Sequence, residues 1–155
     1  MLIAVGKPGA LLREAIHEYE QRAARYWPFQ AIEVRAEKAS KNMSAERLMD
    51  LEADRLLERV PADTELIALT RKGTLWDSAQ FAQHLQQRVL HAQPDVAFVI
   101  GGAFGLGSGI LQRAARQLSL SPYTMPHELA RLVLAEQLYR AGTLTRGEPY
   151  HKARS

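Results

Sequence analysis

Short apolar segments alternate along the chain with longer segments whose apolar residues recur at helical spacing. The apolar segments predict strands over residues 2–5, 65–69 and 95–100, and the alternation of residues 30–35 predicts a further strand. The periodic segments predict helices over residues 8–26, 44–60, 77–89 and 127–144, with a short basic helix before the last of them. This alternation favours an α/β fold with a mainly parallel sheet flanked by helices. Residues 1–155 have the length of one ordinary domain, without linkers or repeats, so we expect a single domain.

Two polar segments interrupt this pattern and are predicted to be loops. Residues 36–43 carry two lysines, and residues 70–74 follow the third strand directly. The second long helix is predicted to be capped by Ser44, and the third by Asp77 or Ser78, because serine and aspartate side chains accept hydrogen bonds at helix starts.

The composition excludes several kinds of site. The chain has no cysteine, so it cannot form disulfides, thiolate zinc sites or a cysteine nucleophile. Its five histidines do not pair at metal-ligand spacing, and we expect no metal. No apolar run reaches the length of a membrane span and the first residues lack the order of a signal peptide, so we expect a cytoplasmic protein without membrane contact.

Positive charge is concentrated in the second half of the sequence. The net charge is only +3, but from residue 101 onward there are seven basic residues against three acidic ones. Such an excess is compatible with a nucleic-acid partner, and it is equally compatible with a solvated basic face.

A glycine-rich turn over residues 101–109 follows the fourth strand. It lacks the Gly-Lys-Ser/Thr ending of a P-loop, and Ile110 stands where a dinucleotide fingerprint needs a small residue. Glycines here either let the backbone approach a ligand closely or only turn the chain. The sequence leaves both interpretations open.

A second unusual loop, residues 119–126, leads into the last helix. Two prolines stiffen it, and Tyr123 and Met125 add apolar surface among main-chain amides and carbonyls. Such a loop is suited to holding a flat heteroaromatic ring through main-chain hydrogen bonds, although a purely structural crossing fits as well. Because loops at strand ends bind small molecules in α/β proteins, we expect the ligand site here.

Residues at both ends of the last helix are candidates for chemistry. His127 follows Pro126 at the helix start, and an imidazole with an ordinary pKa of about 6.5 is able to accept a proton. The tail 149–152 combines an aromatic ring with cations, a mixture suited to bases and phosphates, although composition alone is also typical of a frayed terminus.

The last helix is apolar nearly all round. A helix without a clear polar face is buried on more than one side, which favours a homodimer. A lysine at Leu134 or Leu138 is therefore expected to lower solubility or split the dimer.

Five motifs, in order and in register, closely resemble the RlmH-type ribosomal RNA large-subunit methyltransferases. They are Val99-Ile-Gly-Gly102, Leu118-Ser-Leu120, Pro126-His127, Ala135-Glu-Gln-Leu-Tyr-Arg-Ala141 and Pro149-Tyr-His151. The resemblance implies a minimal SPOUT-class fold with a deep trefoil knot and an obligate homodimer. It also implies S-adenosylmethionine as methyl donor, no metal, and methylation of N3 of a pseudouridine in 23S rRNA of the assembled ribosome.

The resemblance also implies roles for residues. Those near the target base would be His127, Tyr150, His151 and Lys152, with His127 as base or orienter. Glycine at position 102 would leave space for the cofactor. The cofactor-binding residues would be Leu69, Thr70, Gly101, Gly102, Leu120, Ser121, Pro122, Tyr123, Thr124, Met125 and Pro126.

The chain departs from the family at two positions. Phe104 stands where an acidic residue is common, which puts a carboxylate role there in doubt. Lys152 stands where arginine is common, which keeps a cation but loses bidentate phosphate contact. A non-catalytic RNA- or ribosome-binding protein of the same fold is the alternative. A flavodoxin-like nucleotide binder is a more distant one, disfavoured by the missing P-loop.

Overall fold

The computed structural model describes residues 1–152, and the side chains of residues 1–150. Its strands are β1 (Leu2–Val5), β2 (Ala31–Val34), β3 (Glu65–Leu75), β4 (Val96–Ile100) and β5 (Arg116–Ser119). Its α-helices are α1 (Ala10–Ala23), α2 (Ala45–Leu57), α3 (Ser78–Leu90), α4 (Ser108–Arg113) and α5 (His127–Thr145), followed by one 3-10 turn, Pro149–Lys152. The predicted α/β class is confirmed.

The five strands form one parallel sheet in the order β2-β1-β4-β3-β5. Since every strand runs the same way, the carboxyl ends of all five lie at one edge of the sheet. The loops that follow β3, β4 and β5 therefore meet at that edge. The trefoil knot stays a prediction, because strand order alone does not test it.

Alternate residues of the strands pack on opposite faces of the sheet. Leu2, Ile67 and Phe98 belong to the cluster under α1, α3 and α5. Ile3 and Val99 belong to the cluster on the other face, which is covered by α2 and α4. Both faces are buried, which is why β1, β4 and the first part of β3 are continuous apolar runs in the sequence.

Two helix starts are formed as predicted. The Ser44 side chain accepts a hydrogen bond from the Arg47 amide, 3.1 Å, before α2. Asp77 forms a reciprocal capping box with Gln80 before α3. No helix among the described residues is long and apolar enough to cross a membrane.

The structure corrects the prediction at the β3–β5 edge. β5 was not expected, because Arg116-Gln-Leu-Ser presents one large apolar residue and no alternation. Residues 70–74, expected as a loop, extend β3 to Leu75. Leu69 and Thr74 both pair with Leu118, so the residues between them bulge out of the pairing. An edge strand buried mainly at Leu118 and Ser119 leaves too weak an apolar pattern to detect.

Candidate functional site

A hollow of about 410 Å³ lies at the carboxyl edge of the sheet. Three segments contribute most of its lining: residues 69–71 at the bulge of β3, residues 101–105 of the glycine turn, and residues 120, 121 and 123–125 after β5. His127 and Ala130, on the first turn of α5, close one side. Its size and position are those of ligand sites in open α/β sheets.

Most residues predicted to bind a cofactor come together around this hollow. Those lining it are Leu69, Thr70, Gly101, Gly102, Leu120, Ser121, Tyr123, Thr124 and Met125. Pro122 and Pro126 do not line it; they connect residues that do.

Sequence reasoning missed several lining residues. Arg71 follows the predicted Thr70 directly, and Ala130 lies three residues after His127 on the same helical face. Ala103, Phe104 and Gly105 complete the glycine turn. Each of these missed residues lies close to a predicted one in the sequence or one helical turn from it, and that spacing could have identified them.

Two serines hold the loop after β5 in shape. The Ser119 hydroxyl donates to the Ser121 carbonyl, 2.9 Å, and the Tyr123 amide donates to the Ser121 hydroxyl, 3.0 Å. Tyr123 itself is 83% exposed. The loop is thus fixed by its own short-range bonds, with an aromatic ring projecting from its tip.

The glycine turn closes on itself. The Gly105 amide donates to the Gly102 carbonyl, 3.1 Å, and Gly105 has a φ of +94°, which favours glycine. A Cβ on Gly101 would lie 2.5 Å from the Gly105 carbonyl oxygen. Glycines at 101 and 105 are therefore required by the turn itself.

The steric reason for glycine at position 102 is not the expected one. A Cβ there would lie 2.8 Å from Glu52 Oε2 and 3.1 Å from Val5 Cγ1, so it would point into the packed interior. The expectation that it would occupy the cofactor's space is wrong. Gly102 lines the hollow with its backbone while α2 packs behind it.

Glu52 is a buried carboxylate that the sequence did not reveal. It is 3% exposed on α2, and its Oε1 accepts a hydrogen bond from the Glu37 amide, 2.9 Å. Within the described part of the chain, its Oε2 has no hydrogen-bond partner. This side chain joins the loop after β2 to the back of the glycine turn.

His127 lies at the edge of the hollow, at the start of α5. It is half-buried at the first position of α5 and lines the hollow. Its Nε2 lies 4.0 Å from where a Cβ on Gly6 would stand, beyond the end of β1. The described residues of the lining include no carboxylate, and His127 is the one imidazole among them.

Tyr150, the tail residue whose side chain is described, packs on α5 and is not among the residues that line the hollow. The Tyr150 ring packs on Tyr139 with centroids 4.5 Å apart, and its hydroxyl donates to Glu136 Oε1, 3.0 Å. Burial, with hydrogen bonds to Tyr19 and Glu136, raises the pKa of Tyr150 well above its ordinary value. Glu136 lies nine residues after His127, or about 14 Å along the helix.

The other two tail residues complete the 3-10 turn that contains Tyr150. The side chains of His151 and Lys152 lie outside the described part of the structure. The roles predicted for Tyr150, His151 and Lys152 near a target base stay predictions.

Several cations of the basic second half are already paired. Arg131 is 6% exposed and donates to Glu20, 2.7 Å, and to Glu33, 2.9 Å. Burial alone would lower its pKa, but the hydrogen bonds to these two carboxylates outweigh that effect and raise it. Arg131 therefore fixes α5 against α1 and β2 and is not a free surface cation.

The same holds for two further arginines. Arg140 pairs with Glu136 and Arg116 with Glu65, each at 2.8 Å. Among the side chains of residues 1–150, no three histidine, aspartate or glutamate side chains gather in a way that could hold a metal ion.

The sequence is similar to a known protein family over nearly its whole length. A family model described as "Predicted SPOUT methyltransferase" matches residues 1–151. A protein from Gemmatimonas aurantiaca, named Ribosomal RNA large subunit methyltransferase H, is 54% identical, with 97% of each chain covered.

Two further relatives carry the same name. One from Syntrophotalea carbinolica is 41% identical, covering 97% of this chain and 96% of the relative. One from Bacillus thuringiensis is 43% identical, covering 97% of this chain and 98% of the relative. The similarity thus spans nearly the whole length of both proteins in every pair.

Proposed function

The chain belongs to the SPOUT methyltransferase family, and we propose that it is an S-adenosylmethionine-dependent methyltransferase acting on N3 of a pseudouridine in 23S rRNA. The observation that supports this best is the hollow itself. It is built from the three segments in which the family resemblance placed the cofactor. The assembled ribosome is the proposed substrate, which makes the cytoplasm the proposed location.

The hollow fits the proposed methyl donor in size and chemistry. It has about 410 Å³, apolar walls at Leu69 and Leu120, and main-chain groups of two loops at its rim. The loop after β5, fixed by its serines, would hold the adenine ring, and the glycine turn would pass close beside the ligand. When bound, S-adenosylmethionine supplies a methyl group on a positively charged sulfur, already activated for transfer.

The protein's contribution to the reaction is alignment and removal of one proton. Transfer breaks the carbon–sulfur bond, forms a bond from the methyl carbon to N3, and releases the N3 proton. His127 would orient the base and accept that proton, with water or an rRNA phosphate as the other acceptors. Phe104, 53% exposed at the rim, provides no carboxylate for this step.

We further propose a homodimer in which the tail of one chain completes the site of the other. Large apolar side chains are exposed on the loop after β5 and on the first turns of α5 and α1, namely Tyr123, Leu129 and Leu11. Tyr150 is held on the far part of α5 by Tyr139 and Glu136, about 14 Å along the helix from its own His127. A partner packed along α5 would bring its Tyr150, His151 and Lys152 to the hollow.

The function is tested by methyl transfer from labelled S-adenosylmethionine to ribosomes that carry the pseudouridine but lack its methyl group. We expect label in 23S rRNA, located by mass spectrometry at N3 of one pseudouridine, and a large loss of rate in His127→Asn. Cofactor binding without any transfer to ribosomes would contradict the proposal and favour a non-catalytic ribosome-binding protein.

A further inference from the structure

The bulge of β3, residues 70–73, is packed against the edge strand β5. Leu69 and Thr74 both pair with Leu118, so four residues of β3 have no counterpart on β5. Gly73 closes the bulge: a Cβ there would lie 2.6 Å from backbone carbons of Gln117 and Leu118. The bulge is therefore pressed against β5 at its base while its tip projects outward.

The tip carries two adjacent cations, Arg71 and Lys72, and both are exposed. Among the side chains of residues 1–150, neither has an ion-pair partner. Arg131, Arg140 and Arg116, by contrast, are each bound to a carboxylate. The charge of both bulge cations is therefore available to a partner.

The bulge lies between the hollow and a second surface. Arg71 lines the hollow, whereas Lys72 and Gly73 line a neighbouring shallow groove that also contains Trp76 and Arg116. The guanidinium carbon of Arg116 lies 5.8 Å from the centroid of the half-buried Trp76 ring. The nearby acids are engaged: Glu65 by Arg116, and Asp77 by the cap of α3.

We propose, on the basis of the function proposed above, that Arg71 and Lys72 bind backbone phosphates of the RNA flanking the target base. An RNA strand whose base enters the hollow must pass over the rim of the hollow, and the bulge forms part of that rim. Two free cations beside an aromatic ring and a further arginine match a nucleic-acid backbone better than they match an acidic peptide segment. The bulge therefore orients the RNA strand while the hollow holds the reactive groups.

The first test measures binding of the full-length protein to purified large ribosomal subunits at several salt concentrations. For Lys72→Gln we expect about fivefold weaker binding, and a slope of log affinity against log salt concentration that is smaller in magnitude by about 1. Lys72→Arg keeps the positive charge and should restore both the affinity and the slope. Arg59→Gln, which removes an exposed cation near the amino end of β3, is the matched control and should bind like the parent. Unchanged affinity and slope in Lys72→Gln would overturn the proposal.

The second test identifies the partner. The chain has no cysteine, so Lys72→Cys gives a single attachment point for a photoactivated cross-linker. We expect cross-links to 23S rRNA, and none from Arg59→Cys. Cross-links to a ribosomal protein alone, or none from position 72, would overturn the proposal.

The two proposals fail in different ways. If S-adenosylmethionine transfers no methyl group but position 72 cross-links to rRNA, the enzymatic function is wrong and the RNA contact stands. If methyl transfer proceeds while Lys72→Gln and Lys72→Cys behave like the Arg59 controls, the RNA contact is wrong and the function stands.

Discussion

Glu52 stands directly behind Gly102, with its Oε2 2.8 Å from the position that a Cβ on Gly102 would take. One face of the glycine turn is thus set by the packing of α2, while the other lines the hollow. A substitution at Gly102 therefore tests packing first and ligand space second.

Gly102→Ala is expected to lower the free energy of unfolding by about 1–3 kcal/mol, since the methyl group must displace Glu52 and Val5. Denaturant unfolding measures this directly. Gly109→Ala is the matched control: a Cβ there would meet only Leu57 Cδ1, at 3.6 Å, and alanine is favoured over glycine inside helix α4. Equal stability of Gly102→Ala and the parent would show that the turn is not packed as described.

Leu129→Lys is expected to shift the protein from dimer to monomer in light scattering while leaving it folded. Leu129 is 38% exposed, so a lysine there adds charge to the proposed interface without entering the core. Leu134 and Leu138, first expected to serve this test, are 0% and 4% exposed within a single chain. Lysine at either position should unfold the protein instead, and a folded monomer from Leu134→Lys would contradict the described core.

At an S-adenosylmethionine concentration too low for Ala130→Leu to bind it, the composite site is expected to show complementation between two inactive parents. One is Ala130→Leu with an intact tail, and the other carries alanine at Tyr150, His151 and Lys152 with an intact hollow. After subunit exchange, a mixed dimer would contain one complete site, and methyl transfer should rise well above either parent. If heterodimers form and the mixture stays inactive, each tail serves its own chain.

Tyr150 is expected to titrate above the ordinary tyrosine pKa of about 10, because burial and the bonds to Tyr19 and Glu136 favour the neutral phenol. The stability that this contact contributes is present below pH 10 and lost as the pH rises through the higher pKa of the folded state. Difference absorbance of the parent and Tyr150→Phe measures this. Tyr150→Phe should lose absorbance change only well above pH 10. If the variant instead loses absorbance change at about pH 10, Tyr150 is not buried and hydrogen-bonded as described.

The parts of the structure that the sequence predicted are those with a strong local pattern. Three apolar strands, the alternating strand β2, the caps at Ser44 and Asp77, and the three segments around the hollow all carry such patterns. β5 does not, because its pairing with β3 depends on residues about 50 positions away and only Leu118 marks it.

Other features depended on contacts between distant segments. The burial of Glu52 behind Gly102 joins α2 to the turn after β4, and nothing near either residue in the sequence signals it. The tail was placed near the base by resemblance, whereas the single chain holds Tyr150 against Glu136. A role that depends on a second chain cannot be deduced from the folding of one.

The most direct measurement is a calorimetric titration of S-adenosylmethionine into the parent, Ala130→Leu and Ala79→Leu. Ala130 lines the hollow on the first turn of α5, and the larger side chain would fill ligand space; Ala79 is an exposed helical alanine on α3 and serves as control. We predict saturable binding by the parent and Ala79→Leu, and binding weaker by about tenfold or more in Ala130→Leu. No binding by the folded parent, or equal binding by all three proteins, would contradict the assignment of this hollow as the cofactor site.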